Sequence, residues 1–468
     1  MAYTVPFLIN NEEITSSKTF EVKNPLDHSL LWKSSAATVQ DAEAAIQSAS
    51  GAFRFWSTTK LVKRSELIYK LVDVLERRRQ ELMDSMAGET AALGGWVDFN
   101  VDTSIGLAKD VAGRVVSIAG TIPESMEEGT TALVQKEPYG VVLAIAPWNA
   151  PMILALRAVL YPIAAGNTVI LKSSELSPKT HYLLASFFKE AGFPPGVLNV
   201  ICHAREDATL ITNTLIANKA IRKINFTGST HVGKMIAAKA GEHLKPIFLE
   251  LGGKAPLVVL ADADIKKAAG AAATGSYMHS GQLCMATEKI IVQDSILEEF
   301  ITELAEATKQ FGETQALVLP GALEKLSNLI ESAVNQGAKV VNPPKEVPSR
   351  VKFPNLIIRD VTREMELYHT ESFGPLATVI TASSEEEAIA IANDTEYGLS
   401  AAVWTADLAK GLKIARKIES GAVHINGMTV HDEPTLPHGG IKESGFGRFG
   451  GSWGIEEFLT MKTVTFMS

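Results

Sequence analysis

The strongest constraint on the fold is an alternation between short apolar runs, rich in β-branched residues, and longer segments with helical spacing. The first strand-like runs cover residues 141–146, 168–172, 197–201 and 221–226, with helical patterns at 153–165, 180–191 and 207–217 between them. Parallel strands need a crossover of about a dozen residues, which a helix usually supplies. The pattern therefore predicts an α/β fold built on a parallel sheet.

A second series of the same kind follows Gly253. Its strand-like runs cover residues 257–260, 289–292, 339–341, 376–381, 401–405 and 422–425, with helical patterns such as 297–309 and 385–393 between them. Amphipathic patterns near 42–53 and 64–86 precede the first series, and we expect them to pack on it. The 468 residues thus divide into two predicted α/β units.

The charge of the chain narrows the class of partner. A net charge of −9 with dispersed Lys and Arg disfavours a nucleic-acid or polybasic membrane surface, so we expect a small-molecule substrate. The N-terminus lacks the pattern of a secretory leader and no run of about 18 apolar residues occurs, so the expected compartment is the cytoplasm. Two cysteines outside any C-x-x-C pair predict neither a disulfide framework nor a zinc site.

Three polar side chains at the ends of predicted elements indicate chemistry. Cys284 lies in GQLCMATE (281–288), just after an apolar run. Glu250 lies in FLELGGK (248–254) at the end of a strand-like run, and Asn149 lies in PWNAP (147–151) after another. Loops at strand ends are where α/β enzymes carry functional groups. The other cysteine, Cys202, leaves an apolar run and is predicted to be structural.

These segments closely resemble the aldehyde dehydrogenase superfamily, and the resemblance extends over essentially the whole chain. It implies a catalytic cysteine at Cys284, a base at Glu250 and an oxyanion donor at Asn149. It also implies a Rossmann-like domain and a nicotinamide dinucleotide, held by residues that match the cofactor-binding segments of the family: Trp148, Lys172, Glu175, Gly228, Ser229, Glu371 and Phe373.

The choice between NAD and NADP depends on charge at the adenosine ribose. By the resemblance, Lys172 and Glu175 bind the hydroxyls of that ribose. A carboxylate there accepts a hydrogen bond from the 2′-hydroxyl and repels a 2′-phosphate, which favours NAD. NADP stays open as the alternative because Lys172 softens the repulsion.

The implied chemistry has two stages. The Cys284 thiolate adds to an aldehyde carbonyl, and the Asn149 amide stabilises the oxyanion, a type of contact worth roughly 3 kcal/mol per donor. After hydride transfer a thioester remains, and a carboxylate whose pKa is raised toward neutrality can deprotonate the water that hydrolyses it. Glu250 is the predicted base, so we expect its pKa to be raised.

Three glycine signals compete for the cofactor phosphates. Gly252-Gly253 is too short for a phosphate cradle and is predicted to let the chain turn beside the catalytic carboxylate. FTGSTHVGK (226–234) follows a predicted strand and begins a helix, whose free N–H groups suit a phosphate. It nearly matches the P-loop of nucleotide triphosphatases, but Met235 stands where a Mg²⁺-binding hydroxyl is needed. GFGRFG (445–450) has the glycine spacing of a dinucleotide fingerprint without a preceding strand, and is predicted to be a turn-rich loop.

Three segments point to one branch of the superfamily. PWNAPMIL (147–154), GQLCMATE (281–288) and NGMTVHDE (426–433) look most like the salicylaldehyde and vanillin dehydrogenases, which implies an aromatic aldehyde as substrate. A flat apolar substrate suits a pocket of aromatic and Met side chains. The candidates are Met152, Met285 and Phe446, with Arg157 either at a ring hydroxyl or product carboxylate or in a structural ion pair.

Other functions leave traces that can be compared with this chain. A CoA-acylating relative would keep Cys284 and Asn149, but a hydrolytic base at Glu250 would compete with acyl transfer to a thiol. A non-enzymatic structural or binding relative would be expected to lose one of the three, and all are present. A cofactor-independent cysteine hydrolase would need an activating histidine, and His279 has no identifiable orienting partner.

A metalloenzyme is also disfavoured. His424, His431 and His438 lie close together in sequence but lack H-E-x-x-H spacing, and prolines interrupt the segment. Glu288, four residues after Cys284, is predicted to be structural or solvated. We therefore predict no metal site.

The resemblance implies a division of the chain into two domains and smaller bridging segments. Residues 1–117 and 141–252 are expected to form the NAD-binding domain, 253–440 the catalytic domain, and 118–140 with 441–468 small bridging or oligomerisation segments. Strands at 130–138 and 460–466 would pair and need a partner edge. In the family such strands join subunits, so the resemblance implies a homodimer or homotetramer. The stretch 310–321 is shorter than is usual in the family, and is expected to be a surface loop away from the catalytic positions.

Overall fold

The computed structural model describes residues 3–312, 314–344 and 351–467. Two large, mainly parallel sheets dominate the described chain, one from each predicted α/β unit. The predicted α/β fold is confirmed. Within the described residues, no helix combines the length and hydropathy needed to span a bilayer.

The first sheet has eight strands, of which the central five are parallel. In spatial order its strands are Gly445–Phe446, Ile247–Glu250, Ile221–Thr227, Val141–Ile145, Thr168–Lys172, Leu198–Ile201, Phe7–Ile9 and Glu12–Ile14. The central strands are buried on both faces, which explains why they appear in the sequence as continuous apolar runs.

The second sheet has seven strands and is parallel except at one edge. In spatial order its strands are Lys339–Val340, Leu356–Arg359, Leu376–Ala382, Thr287–Gln293, Ala255–Val259, Ser400–Trp404 and Ala422–Ile425. The remaining strands of the described chain form three small sheets: Thr4–Val5 with Leu30–Ser35 and Thr19–Lys23, Thr314–Ala316 with Lys352–Pro354, and Thr130–Pro138 with Leu459–Met467.

Helices cover the faces of both sheets. Those of the first half are Val39–Trp56, Leu61–Arg77, Arg79–Thr90, Gly94–Arg114, Pro151–Ala165, Pro178–Glu190, Ala208–Ala217 and Thr230–Glu242. Those of the second half are Ile265–Tyr277, Leu297–Thr308, Ala322–Asn335, Glu366–His369, Glu385–Asn393, Leu408–Ala415 and Gly451–Glu456. Pro151–Ala165 is buried along its whole length, so it forms the centre of the largest apolar cluster.

Two features differ from the sequence expectation. The helical pattern at 64–86 is interrupted at Arg78, whose guanidinium packs over the Phe187 ring at 4.4 Å. Part of the expected C-terminal extension, Gly445–Phe446, joins the first sheet beside Ile247–Glu250 instead. The second difference arises from pairing with a distant part of the chain, which local propensity does not report.

The predicted pairing of the two extension strands is present. Thr130–Pro138 and Leu459–Met467 form an antiparallel ribbon, with Thr130 opposite Met467 and Pro138 opposite Leu459. Apolar side chains on this ribbon remain exposed, including Met461 and Met467, each 74% exposed. The ribbon is therefore an exposed, partly apolar surface.

Candidate active site

The site lies where the carboxyl ends of the strands of the first sheet meet the amino ends of the strands of the second. The first sheet contributes the carboxyl ends of its strands: Trp148 and Asn149 follow Val141–Ile145, and Glu250 ends Ile247–Glu250. The second sheet contributes loops that enter its strands, with Cys284 before Thr287–Gln293. The motifs that contain Asn149 and Glu250 therefore reach the crevice from one side, and the motif that contains Cys284 reaches it from the other.

The topology of the first sheet explains the position of this crevice. Val141–Ile145 is central, and the chain continues from it to Thr168–Lys172 on one side, while Ile221–Thr227 pairs on the other. In parallel sheets, ligands bind at the carboxyl ends of strands where the order reverses in this way.

Cys284, Glu250 and Asn149 line the same cavity, so the structure brings the three predicted catalytic residues together. The Asn149 amide donates one hydrogen bond to the Gln282 carbonyl at 3.0 Å. A carboxamide nitrogen carries two hydrogens, so the second is available to an oxyanion in the cavity. Trp96 Nε1 donates to the Asn149 carbonyl at 3.0 Å and fixes the main chain there.

The loop before Cys284 has an unusual backbone. His279, Ser280 and Gly281 all have positive φ values, of 48°, 58° and 66°. Left-handed conformations cost energy in non-glycine residues and persist where neighbouring contacts impose them. Such strain is typical of functional loops.

Within the stretch 310–321, the described residues 314–321 supply those contacts, which corrects the expectation of a remote surface loop. The Ser280 N–H donates to Gln315 Oε1 at 3.1 Å, and the Val318 N–H donates to Gln282 Oε1 at 2.9 Å. Gln315 and Val318 are both buried. The segment therefore supports the loop that carries Cys284.

The surroundings of Cys284 do not favour its thiolate. Its side chain has little contact with solvent, being only partly exposed. This burial, together with the charges of Glu250 and Glu371, raises the pKa of the thiol. The Arg157 charge acts in the opposite direction but is outweighed. A nucleophilic Cys284 therefore needs a further positive charge or a movement of these carboxylates.

The environment of Glu250 contradicts the predicted direction of its pKa. Burial by itself would raise the pKa, but Arg157 and His438 outweigh burial and lower it to about 2. The Arg157 guanidinium lies 3.3 Å from Glu250 Oε2, and His438 Nε2 lies 2.9 Å from Glu250 Oε1. Glu250 is thus ionised but, in this arrangement, a weak base.

Arg157 is in an ion pair, one of the two alternatives that the sequence left open. Its second nitrogen bonds Asp432, and the charges of Asp432 and Glu250 raise the pKa of the guanidinium against the effect of burial. Arg157 also lines the cavity. It therefore brings a permanent positive charge to the pocket wall.

The remaining pocket predictions divide into two groups. Met285 lines the cavity, as expected. Met152 is fully buried in the core, and Phe446 is 51% exposed on the edge strand of the first sheet, so neither contributes to the cavity wall. Side chains that sequence reasoning missed provide the aromatic wall: Trp96 and Phe99, on the helix Gly94–Arg114.

A row of rings connects this wall to the expected cofactor side. Trp96 stacks on Phe99 and on His279, with centroid distances of 5.4 and 5.5 Å. Trp148 contacts both His279 and Phe373, the latter edge-on at 6.0 Å. Burial lowers the pKa of His279 to about 3, so it is a neutral packing group here, not an activating base.

The predicted cofactor residues of the first sheet lie at or just after the carboxyl ends of its strands. Lys172 ends one strand, Glu175 follows it, and Gly228 with Ser229 follows Ile221–Thr227. Ser229 caps the helix Thr230–Glu242 by accepting from the Val232 N–H. A helix N-terminus at this edge suits an anionic group of a dinucleotide.

Glu371 is fixed against the turn that follows Glu250. Its carboxylate accepts from the Gly253 N–H at 2.9 Å, and a Cβ at Gly252 would lie 2.6 Å from it. Burial and the neighbouring Glu288 charge raise the pKa of Glu371 to about 7. The glycine pair thus provides the close approach that places this carboxylate in the crevice.

Glu288 has a structural position. Its carboxylate accepts from Lys254 Nζ at 2.8 Å and from the main-chain N–H groups of Ser372 and Phe373 at 2.7 and 3.0 Å. The pair is almost fully buried. It holds the segment that carries Glu371 and Phe373.

Known proteins share this sequence and architecture. A model of the aldehyde dehydrogenase family matches residues 13–464. Vanillin dehydrogenase of Pseudomonas fluorescens is 42% identical over an alignment 472 positions long, which covers 98% of this chain and 97% of that protein.

Solved structures agree over the same length. A salicylaldehyde dehydrogenase from Pseudomonas putida G7, complexed with salicylaldehyde, matches with a TM-score of 0.96 at 39% identity, over 99% of this chain and 98% of that one. Betaine aldehyde dehydrogenase from Staphylococcus aureus, in complex with NAD⁺, matches with a TM-score of 0.94 at 30% identity, over 98% and 94%. The chain belongs to the aldehyde dehydrogenase family.

Proposed function

We propose that this protein oxidises an aromatic aldehyde to the carboxylic acid with NAD as hydride acceptor. The observation that carries this proposal is one cavity that contains Cys284, Asn149 and Glu250 and is walled by Trp96 and Phe99. Aromatic faces bind a flat ring by offset stacking or edge contacts. The relatives that act on vanillin and salicylaldehyde support the same class of substrate.

Cys284 is the proposed nucleophile. Its sulfur adds to the aldehyde carbon, and the carbonyl oxygen becomes an oxyanion within reach of the free Asn149 N–H. After oxidation, the acyl group remains on Cys284 as a thioester. Water then forms a C–O bond to the acyl carbon, the C–S bond breaks, and Glu250 receives the water proton.

The cofactor position is proposed from the residues that converge on the crevice. When bound, NAD supplies the acceptor for the aldehyde hydride and a positive ring. Gly228 and Ser229 would hold its phosphates, while Glu371 would accept from a ribose hydroxyl. Glu175 at the carboxyl edge favours NAD over NADP, since it would repel a 2′-phosphate.

Activation of Cys284 follows from the same arrangement. Two nearby carboxylates oppose the thiolate, and Arg157 alone does not offset them. A positive nicotinamide would supply the missing charge. NAD binding is therefore expected to increase the reactivity of Cys284 as well as to provide the oxidant.

We further propose that the first sheet with its helices is the NAD-binding domain, residues 1–117 and 141–252, and that 253–440 is the catalytic domain. The segments 118–140 and 441–468, which include the exposed ribbon, would join subunits into a homodimer or homotetramer. Two-stranded ribbons are marginal alone, and exposed edges favour pairing. Light scattering on a sizing column tests this assembly.

A cytoplasmic location is the companion proposal. Both cysteines are free, as is usual for proteins of a reducing compartment. Fractionation of cells that express the full chain tests it.

The deciding experiment measures NADH formation from salicylaldehyde, vanillin, benzaldehyde and a short aliphatic aldehyde. Cys284→Ala should lose at least about a thousandfold of the activity, because the covalent route disappears. Cys202→Ala is the matched control, since Cys202 is buried and burial raises its thiol pKa to about 12. Equal rates with aromatic and aliphatic aldehydes would contradict the substrate assignment, and an active Cys284→Ala would contradict the mechanism.

A further inference from the structure

His181 is a buried histidine that contacts two segments of the proposed site at once. It lies near the start of the helix Pro178–Glu190 and is 0% exposed. Its Nδ1 lies 2.9 Å from Ser173 Oγ and 3.3 Å from the main-chain nitrogen of Ser174. Its Nε2 lies 3.1 Å from the Pro151 carbonyl oxygen. The imidazole therefore bridges two stretches of chain that are separate in sequence.

The partners of His181 determine which ring nitrogen carries the proton. A main-chain N–H can only donate, so Nδ1 accepts from Ser174. A carbonyl oxygen can only accept, so Nε2 carries the hydrogen that is donated to Pro151. Burial outweighs the hydrogen bond to Pro151 and lowers the pKa of His181 to about 3, with the Lys172 charge acting in the same direction as burial. The imidazole is therefore neutral and is a fixed bridge, not an acid or a base.

One end of this bridge holds the segment proposed to bind the adenosine ribose. Ser173 and Ser174 lie between Lys172 and Glu175 in the chain. In the described part of the protein, His181 is the hydrogen-bond acceptor of the Ser174 N–H. Ser174 is 6% exposed, so loss of this acceptor would leave a largely buried donor unpaired. The position of the Glu175 backbone therefore depends on His181.

The other end of the bridge holds the chain just after Asn149, the proposed oxyanion donor. Pro151 is the first residue of the buried helix that follows. Trp96 Nε1 donates to the Asn149 carbonyl at 3.0 Å and fixes the main chain at that residue. His181 fixes the main chain two residues later, at the Pro151 carbonyl. The direction in which the Asn149 side chain leaves the backbone depends on both contacts.

The helix that carries His181 is itself anchored. Glu89 accepts from the main-chain N–H groups of Lys179 and Thr180 at 2.8 and 3.0 Å, and from the Thr180 hydroxyl at 2.7 Å. These contacts satisfy donors that a helix N-terminus leaves without partners inside the helix. Glu89 is 1% exposed, so water does not compete for them. The bridge therefore starts from a rigid base.

We propose that His181 is a positioning residue that holds the ribose-binding segment and the oxyanion segment at a fixed separation. Its Nδ1 positions the first segment for NAD, and its Nε2–H positions the second for the aldehyde oxygen. This inference rests on the proposed function, in which Glu175 binds the cofactor and Asn149 binds the oxyanion. A misplacement of about 1 Å can cost a hundredfold in rate, so a side chain outside the cavity can control the reaction.

Two carboxamide variants separate the two ends of the bridge. The Asn side-chain oxygen is bonded to Cγ, as His Nδ1 is, whereas the Gln amide nitrogen lies one bond further out, near the place of Nε2. His181→Asn should therefore keep an acceptor for the Ser174 N–H and lose the donor to Pro151. His181→Gln should keep the donor to Pro151 and leave the Ser174 N–H unpaired.

The two readouts are the Kd for NAD, from isothermal titration calorimetry, and kcat/KM for salicylaldehyde at saturating NAD. The second reports stabilisation of the transition state. In His181→Asn we expect kcat/KM to fall about tenfold while the Kd stays within about twofold of wild type. In His181→Gln we expect the Kd to rise about tenfold while kcat/KM stays within about twofold. His181→Ala should show both losses.

A purely structural role predicts a different result. It would lower the melting temperature of the His181 variants without separating the two readouts. Equal losses in His181→Asn and His181→Gln, a reversed pattern, or unchanged readouts in His181→Ala would each overturn the inference.

Asn167 provides a matched control at the other end of the strand Thr168–Lys172. It is 0% exposed, accepts from the Gly140 N–H at 3.0 Å and donates to the Phe458 carbonyl at 2.9 Å, so it also bridges distant main-chain groups. Asn167→Ala should lower the melting temperature and leave both readouts within about twofold of wild type. If it changes them as His181→Ala does, general loosening of the sheet is the cause and the inference is overturned.

Two further variants separate this inference from the proposed function. If Asn149→Ala keeps the wild-type kcat/KM, or if Glu175→Ala keeps the wild-type Kd for NAD, the role of that residue is wrong and the inference falls with it. If both variants lose what the proposed function assigns to them while His181→Asn and His181→Gln behave alike, only the inference fails.

Discussion

Glu250 and Glu288 are both nearly inaccessible carboxylates paired with buried cations, but they are held in different ways. Glu288 accepts from Lys254 and from two main-chain N–H groups. Among the described residues, Glu250 accepts from the side chains of Arg157 and His438 alone, and it lines the cavity with Cys284. The Glu288 carboxylate is enclosed by its donors, whereas the Glu250 carboxylate faces the cavity.

The difference shows how a fold separates structural from reactive charge. Main-chain donors cannot rotate away without moving the chain, so Glu288 is fixed and fixes the loop that binds it. Side-chain donors can swing, so Glu250 can change partners during a reaction.

Removing the reactive carboxylate should stop hydrolysis while sparing the fold. In Glu250→Gln we expect turnover to fall about a thousandfold, within the usual range for a general base, after an initial burst of NADH. Stopped-flow absorbance measures the burst and the steady rate. Loss of the burst itself would mean that Glu250 serves the earlier steps instead.

Removing the structural carboxylate should have the reverse effect. Glu288→Gln leaves the Lys254 charge buried without its partner, which costs about 3 kcal/mol of unfolding free energy. Urea denaturation measures this loss. Adding Lys254→Met should recover part of it, because the uncompensated charge is removed; strictly additive losses would contradict an ion-pair role.

Glu371, which Glu288 helps to position, should make NAD binding pH-dependent. Its carboxyl group ionises as pH rises through about 7, and the charged form accepts a ribose hydroxyl more strongly. The Kd for NAD should therefore fall about fivefold from about pH 6 to 8 in wild type, and stay flat in Glu371→Gln. Isothermal titration calorimetry measures both, and a parallel slope in the variant would exclude Glu371 as the cause.

The raised pKa of Glu371 also makes the stability of the fold depend on pH, in the direction opposite to that of NAD binding. Folding raises the pKa of Glu371 from 4.5 to about 7, so the native state binds more protons than the unfolded chain in that range. The contribution of Glu371 to stability therefore declines as pH rises from 4.5 toward 7.

Cofactor selectivity is expected to depend on Glu175, a partly exposed carboxylate that follows the strand Thr168–Lys172 of the first sheet. In Glu175→Ala the ratio of kcat/KM for NADP to that for NAD should rise about fivefold, because a repulsion is removed. Glu206→Ala, an exposed carboxylate paired with Lys18, is a suitable control. An unchanged ratio in Glu175→Ala would place cofactor selection elsewhere.

Much of the fold was predictable because parallel strands buried on both faces carry continuous apolar runs. The strand Thr168–Lys172, buried at four of its five residues, matches its predicted bounds, as does the helix Glu385–Asn393. The helix Gly94–Arg114 was missed, since it begins with two glycines, which are poor helix formers. An aromatic pair at helical spacing, Trp96 and Phe99, was the available signal.

The candidate site was only partly predictable. Cys284, Glu250 and Asn149 stand in compact motifs at strand ends, so short segments reveal them. The pKa of Glu250 was predicted in the wrong direction, because its partners lie 93 and 188 residues away in sequence. The segment 310–321 was misjudged for the same reason.

The two mainly parallel sheets, the family and the three catalytic candidates can be predicted from the sequence, because each depends on local periodicity or on a short motif. The charge environment of the site, in contrast, depends on the folded structure. Folding brings Arg157 and His438 against Glu250 and seals Lys254 with Glu288. Electrostatic interactions act through space, so residues far apart along the chain set the chemistry of a motif that one segment encodes.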